Sequence, residues 1–78
     1  MIRIKQVEPR KNYTLFVKFT DGKSGIFDVK PYLHVGPVFE EIANPVTFSS
    51  VKVSHGTIEW ANGVDLCPDC VYLETQFF

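Results

Sequence analysis

The sequence is short of most features that announce a function. Its two cysteines are too few for the disulfide framework of a small secreted domain, which makes a reducing cytoplasm the expected setting. No apolar run is long enough for a transmembrane helix or the hydrophobic part of a signal peptide, so no membrane partner is expected. Charge of one sign is missing as well: 8 basic and 9 acidic residues leave a net charge of -1, which supplies no general attraction to a phosphate backbone. Nucleic acid is therefore not an expected partner, although Arg3, Lys5, Arg10 and Lys11 make a local basic excess. Tandem repeats, low-complexity segments and linkers are absent, and residues 1–78 read as one domain.

What is present is apolar and aromatic. A content of 45% apolar residues, with seven phenylalanines, argues against disorder. A chain of this size buries only about 60% of the surface it exposes when unfolded, which leaves apolar side chains for a partner.

The strongest local signal is Asn12 to Val29, where Asp21-Gly22 separates two alternating segments of aromatic and β-branched residues. Two registers compete. A two-residue turn at Asp21-Gly22 would put Asp28 on the same face as Val17, Leu15 and Ile26. A type I turn over Thr20-Asp21, with Gly22 left-handed as a bulge, sets Phe19 opposite Lys23 instead. One face then carries Tyr13, Leu15, Val17, Phe19, Phe27 and Val29, with a gap at Gly25. The second register fits the hydrophobic pattern better. The other face is mixed, with Phe16 and Ile26 beside Lys18 and Asp28. Such a hairpin needs more strands or a helix over it.

The flanking elements follow from period and punctuation. Met1 to Val7 alternates as a first strand, which Pro9 is expected to stop. Pro31 begins a short turn with Tyr32 and Leu33. Gly36-Pro37 starts a two-turn helix with Val38, Phe39 and Ile42 on its apolar side and Glu40 and Glu41 near its N-terminus, and Asn44-Pro45 stops it. Phe48 to Val53 reads as strand, with Val51 and Val53 on one face. His55-Gly56 is a turn, Thr57 to Trp60 is extended, and Asn62-Gly63 is a second strong turn. Pro68 opens a last helical turn, with Cys67 as its cap and Asp69 as a first-turn acid. The expected fold class is α+β: a small antiparallel β-sheet built around the central hairpin, with short helices covering one face.

Candidate chemistry is sparse. Cys67 and Cys70 have CxxC spacing, but a strand, motif and long helix in βαβ order are lacking, and Asp69 places like charge beside a prospective thiolate. The pair could supply half a tetrahedral zinc site with His34, His55 or a second subunit, yet neither histidine has motif spacing to it. Reduced packing or surface cysteines are the simpler reading. No phosphate-cradling glycine loop, zinc-protease helix, nucleophile context or specified carboxylate pair occurs. No catalytic residue, metal ligand or cofactor is assigned, and the expectation is that the chain is not an enzyme.

The segments YTLFVKFTDGKSGIFDVKPYL, GPVFEEIANPVTFSSVKV and GTIEWANGVDLCPDCVY, in that order, resemble the small bacterial DUF2442 family across nearly the whole sequence. The most specific pieces are Phe19-x-Asp21-Gly22, the Asp28 to Leu33 segment, and Trp60-x-Asn62-Gly63-x-Asp65-Leu66 followed by Pro68 and Tyr72. The resemblance implies a compact α+β fold and brings no established mechanism. Some relatives look like accessory or antitoxin-like components, which implies protein interaction. Ala61 and Cys67 stand where the family often has proline and an acid, so the cysteine pair is a local elaboration.

Three functions follow as expectations. The first is an accessory domain acting through protein interaction or self-association, with a homodimer or a small partner protein, through a sheet edge or the Tyr72, Phe77 and Phe78 face. The second is a small-molecule-binding protein or enzyme with a pocket at Trp60, Asn62 and Asp65. The third is an antitoxin-like regulator with DNA contact. Structurally, Asp21, Gly22, Asn62 and Gly63 set turns, and Asp65 either accepts turn or helix N–H groups or faces a ligand groove. Phe77-Phe78 either covers the core edge or joins an interface.

Overall fold

The computed structural model describes residues 1–78. A four-stranded antiparallel sheet has the order β1-β2-β3-β7, with β1 at Ile4–Arg10, β2 at Thr14–Phe19, β3 at Ser24–Asp28 and β7 at Gln76–Phe77. A smaller sheet, β4-β5-β6, uses Lys52–Ser54, Thr57–Glu59 and Asp65–Leu66. Three short helices, α1 at Pro37–Glu40, α2 at Pro45–Ser49 and α3 at Pro68–Glu74, pack with them around one core. The α+β class and the helical cover on one face are as the sequence predicts; the strands divide into two sheets.

The central hairpin has the bulged register. The Phe19 N–H donates to Lys23 O at 2.9 Å, the Gly22 N–H donates to Phe19 O at 3.0 Å, and Gly22 has φ +89°. Leu15 lies opposite Phe27 and Val17 opposite Gly25. Leu15, Val17, Phe19, Phe27 and Val29 are all fully buried, so the alternation selects the register by burying one face. The gap at Gly25 has a use. A Cβ there would lie 2.2 Å from the backbone oxygen of Gln76, so only glycine lets β7 come this close.

Several expectations need correction. The first strand runs through Pro9 to Arg10 rather than ending before it. It is an edge strand, with a side that lacks a neighbouring strand, so a residue without an N–H is tolerated there. A bulge between Ile4 and Gln6 resets the alternation, which lets Ile4 and Val7 both reach the core. The helix at Pro37 continues only as a 3-10 turn over Glu41–Ala43. Asn44-Pro45 then ends one helix and starts another: Asn44 Oδ1 accepts the Val46 N–H at 2.9 Å, and Pro45 takes the first helical position. Phe48 is therefore helical, and the strand expected from it begins only at Lys52. Val51 is buried while Val53 is partly exposed. Cys67 occupies the cap position of α3 but its side chain makes no capping bond.

Side-chain bonds from Trp60 and Tyr13 tie the strand ends to the helical segments. Trp60, buried in the core, donates its indole N–H to Phe48 O at 3.2 Å. Tyr13 donates its hydroxyl to Ala43 O at 2.5 Å and sets its ring edge-on to Phe48. Asn12 and Tyr13 have φ +60° and +57°, an uncommon region for such side chains. The Tyr13 bonds at either end, including Val29 N–H to Tyr13 O at 2.9 Å, oppose that cost.

Candidate functional site

The most differentiated surface lies where the first hairpin meets α3 and β7. Asp21 Oδ1 accepts the Lys23 N–H at 3.0 Å, and Oδ2 accepts the Tyr72 hydroxyl at 2.8 Å. These two bonds hold the Asp21 carboxyl below its ordinary range, and the same carboxylate pushes the Tyr72 phenol up. Behind them, Phe19 meets Tyr72 edge-on with centroids 4.8 Å apart, and Phe77 packs 4.9 Å from Tyr72 and 5.8 Å from Phe19. The Lys23 ammonium lies 6.0 Å from the Phe77 centroid. Gly22, Lys23, Ser24, Phe77 and Phe78 line an open groove of about 380 Å³.

Strand alternation separates the two adjacent phenylalanines. Phe77 pairs with Gly25 and turns toward the core side. Phe78 donates its N–H to Ser24 O at 3.1 Å and stacks on Phe16 at 6.3 Å, on the opposite face. Of this pair, Phe77 packs at the core edge, whereas Phe78 stays largely exposed.

That opposite face of the four-stranded sheet is not covered by any helix. Cross-strand pairing arranges it in rows: Arg10, Thr14 and Asp28; then Glu8, Phe16, Ile26 and Gln76; then Gln6, Lys18 and Ser24. Phe16, Ile26 and Phe78 form its apolar centre. Around them, Arg10 bonds to Glu8 at 3.1 Å with its guanidinium 5.4 Å from the Phe16 centroid, and Lys30 bonds to Asp28 at 3.0 Å. Partial burial works to raise the Asp28 carboxyl, but the Lys30 N–H and ammonium outweigh it and leave the pKa lowered.

The second turn is organised differently. Trp60 is 1% exposed and acts as a core anchor. Asn62 donates from Nδ2 to Val38 O at 3.0 Å and to Glu41 Oε1 at 2.9 Å, while its Oδ1 accepts the Val64 N–H at 3.3 Å. Asp65 is exposed on β6 opposite Glu59, accepts no turn or helix N–H, and lies outside the groove. Trp60, Asn62 and Asp65 thus do not line a common cavity, whereas Tyr72 meets Asp21 and Phe77, and Phe78 joins Phe77 and Gly22 only along the groove. Lys23 and Ser24 in the groove were not among the residues singled out from sequence. Their signal is position: they follow the turn glycine at the strand end that β7 joins.

Cys67 and Cys70 are both exposed and reduced. The charge of Cys67 pushes the Cys70 thiol up. His34 and His55 do not join them, and no group of three or more His, Cys, Asp or Glu side chains is placed to hold a metal ion. One turn along α3 from Cys70, burial and then the Glu74 carboxylate, which accepts the Tyr32 hydroxyl at 2.8 Å, push Tyr32 up to about 12. No helix is long and apolar enough to cross a membrane.

Residues 4–76 match the model of a family described as a protein of unknown function, DUF2442. No curated protein and no solved structure matches the chain.

Proposed function

The chain belongs to the DUF2442 family, and because that membership carries no activity we propose a function from the surface: an accessory domain that self-associates through the open face of its larger sheet. The observation that carries this reading is the stack of Phe78 on Phe16 beside Ile26, an apolar centre within a polar rim. The rim favours a second copy of the same chain as the occupant. Arg10, Lys18 and Lys30 exceed Glu8 and Asp28 by a single charge, so two such faces carry only slight net repulsion, and a two-fold axis along β2 brings each Arg10 toward the partner copy's Asp28.

The size of the face sets the strength expected. Strands of 7, 6, 5 and 2 residues, at about 3.3 Å per residue and about 4.8 Å spacing, present about 300 Å² per copy. The resulting total of about 600 Å² lies below the roughly 1,200 Å² typical of stable complexes, so the dimer should be weak and concentration-dependent. Sedimentation equilibrium should show the average mass rising from that of the 8.9 kDa chain toward twice that value. Phe16→Ser combined with Phe78→Ser should abolish the rise while circular dichroism stays unchanged. A constant monomer mass through high-micromolar concentration would overturn the proposal.

A further inference from the structure

The cysteine pair is the feature that neither the core nor the open face uses. Both thiols are exposed, and the burial in α3 is carried by Val71. The Val71 N–H donates to Cys67 O at 3.1 Å, which closes one helical turn over Cys67, Pro68, Asp69 and Cys70. Cα atoms three apart on such a turn lie about 5 Å apart, inside the roughly 4.4–6.8 Å that a disulfide spans, and Cys67, whose backbone is extended rather than helical, can bring its Cβ the remaining distance. Pro68 limits the backbone between them. Packing does not explain two thiols placed together in solvent.

We propose that Cys67 and Cys70 form a reversible dithiol–disulfide pair whose co-reactant is a small-molecule disulfide. The Cys67 thiolate attacks one sulfur of RSSR, the RS–SR bond breaks, and the departing RS⁻ takes up a proton equivalent to the one Cys67 released. The Cys70 thiolate then attacks Cys67 Sγ in the mixed disulfide and displaces the second RS⁻, which is likewise protonated. The dithiol loses two electrons and two protons, and RSSR becomes two RSH. Cys67 is the attacking group because it stands at the cap of α3, outside the helix, while the Cys70 thiol is pushed up, first by its neighbour Cys67. The carboxylates of Glu74 and Asp69 also raise the Cys70 thiol. Oxidation would staple the first turn of α3, the helix that carries Tyr72 to Asp21.

The test is equilibration of the intact protein with mixtures of neutral hydroxyethyl disulfide and 2-mercaptoethanol, followed by acid quench, alkylation and mass measurement. The expected result is a monomer that loses both alkylation sites together, with no added reagent mass. Cys67→Ser and Cys70→Ser should instead accumulate a mixed disulfide, at an oxidised-to-reduced reagent ratio at least about tenfold higher than the parent needs for closure. Because both positions are exposed, the serine variants should keep the parent circular dichroism spectrum. Retention of both labels under the most oxidising mixture, two separate mixed disulfides on the parent, or disulfides only between chains would overturn the proposal. So would stoichiometric zinc that blocks alkylation in protein isolated without added metal.

Discussion

The turns at Asp21-Gly22 and Asn62-Gly63 have the same local construction and different attachments. In each, a buried aromatic residue, Phe19 or Trp60, starts the turn and accepts the glycine N–H on its own carbonyl. Its N–H donates to the residue after the glycine, and the Asp or Asn side chain accepts that residue's N–H. Gly22 and Gly63 have φ of +89° and +88°. The difference lies in the remaining side-chain atom. A carboxylate only accepts, and Asp21 takes the Tyr72 hydroxyl from α3; an amide also donates, and Asn62 supplies Val38 O and Glu41. Backbone geometry thus follows from the shared pattern, while the choice of acid or amide decides which helix the turn can hold.

Removing the aromatic anchors should have the largest effect. Phe19→Ala and Trp60→Ala should each cost about 3–5 kcal/mol in denaturant unfolding, a large part of the stability of a small domain. If one cost under about 1 kcal/mol, the two turns would not be equivalently anchored.

Adding a side chain at the turn glycines should come next. A Cβ at Gly22 or Gly63 meets no atom within 4 Å, so the cost of Gly22→Val or Gly63→Val is conformational. Each should lose about 1–3 kcal/mol, and the two losses should agree within roughly 0.5 kcal/mol. Loss of less than about 0.3 kcal/mol at Gly22 would contradict its positive φ.

Exchanging the Asx residues tests the attachments. Asn62→Asp turns a donor into a carboxylate facing Val38 O and Glu41, and should cost about 1 kcal/mol at neutral pH. Asp21→Asn should cost less, because an amide oxygen can still accept one of the two bonds. Equal losses would erase the distinction between the turns.

The smallest effects are in the pH profile. The folded Asp21 carboxyl lies below its ordinary 3.8, so its contribution is present above that value and is lost as pH falls through the folded pKa. Thermal melts of Asp21→Asn should therefore show a shallower acid loss than the parent. Tyr32 works in the opposite direction: pushed from 10.0 to about 12, it contributes below pH 10 and loses that contribution as pH rises to about 12. Tyr32→Phe should flatten the alkaline limb, and an unchanged limb would contradict the raised Tyr32 phenol that burial and Glu74 together produce.

The hairpin was legible because turn chemistry and hydrophobic alternation select the same register at Phe19 and Lys23. The second helix was not, since Val46, Thr47 and Phe48 have strand propensity and Asn44-Pro45, which stops one helix, also caps and starts the next. Pro9 misled because its tolerance depends on β1 being an edge, which is a property of sheet order. At the surface, Tyr72, Phe77 and Phe78 could be named from sequence, but their meeting with Asp21 and Lys23 depends on a long-range pairing. Trp60 and Asp65 looked like neighbours in a pocket until strand direction separated a buried anchor from an exposed carboxylate.

The bare backbone at Gly25 also has a kinetic consequence. The β2–β3 hairpin closes over five residues, whereas the pairing of Gly25 with Phe77 joins distant parts of the chain and must overcome a larger loop-closure entropy. The hairpin should therefore form early and β7 should dock late. Until it docks, Phe19 lacks one aromatic neighbour and the edge of β3 is open to strands of other chains. An alanine at position 25 would obstruct that last step, prolonging the aggregation-prone stage of refolding while leaving the hairpin free to form.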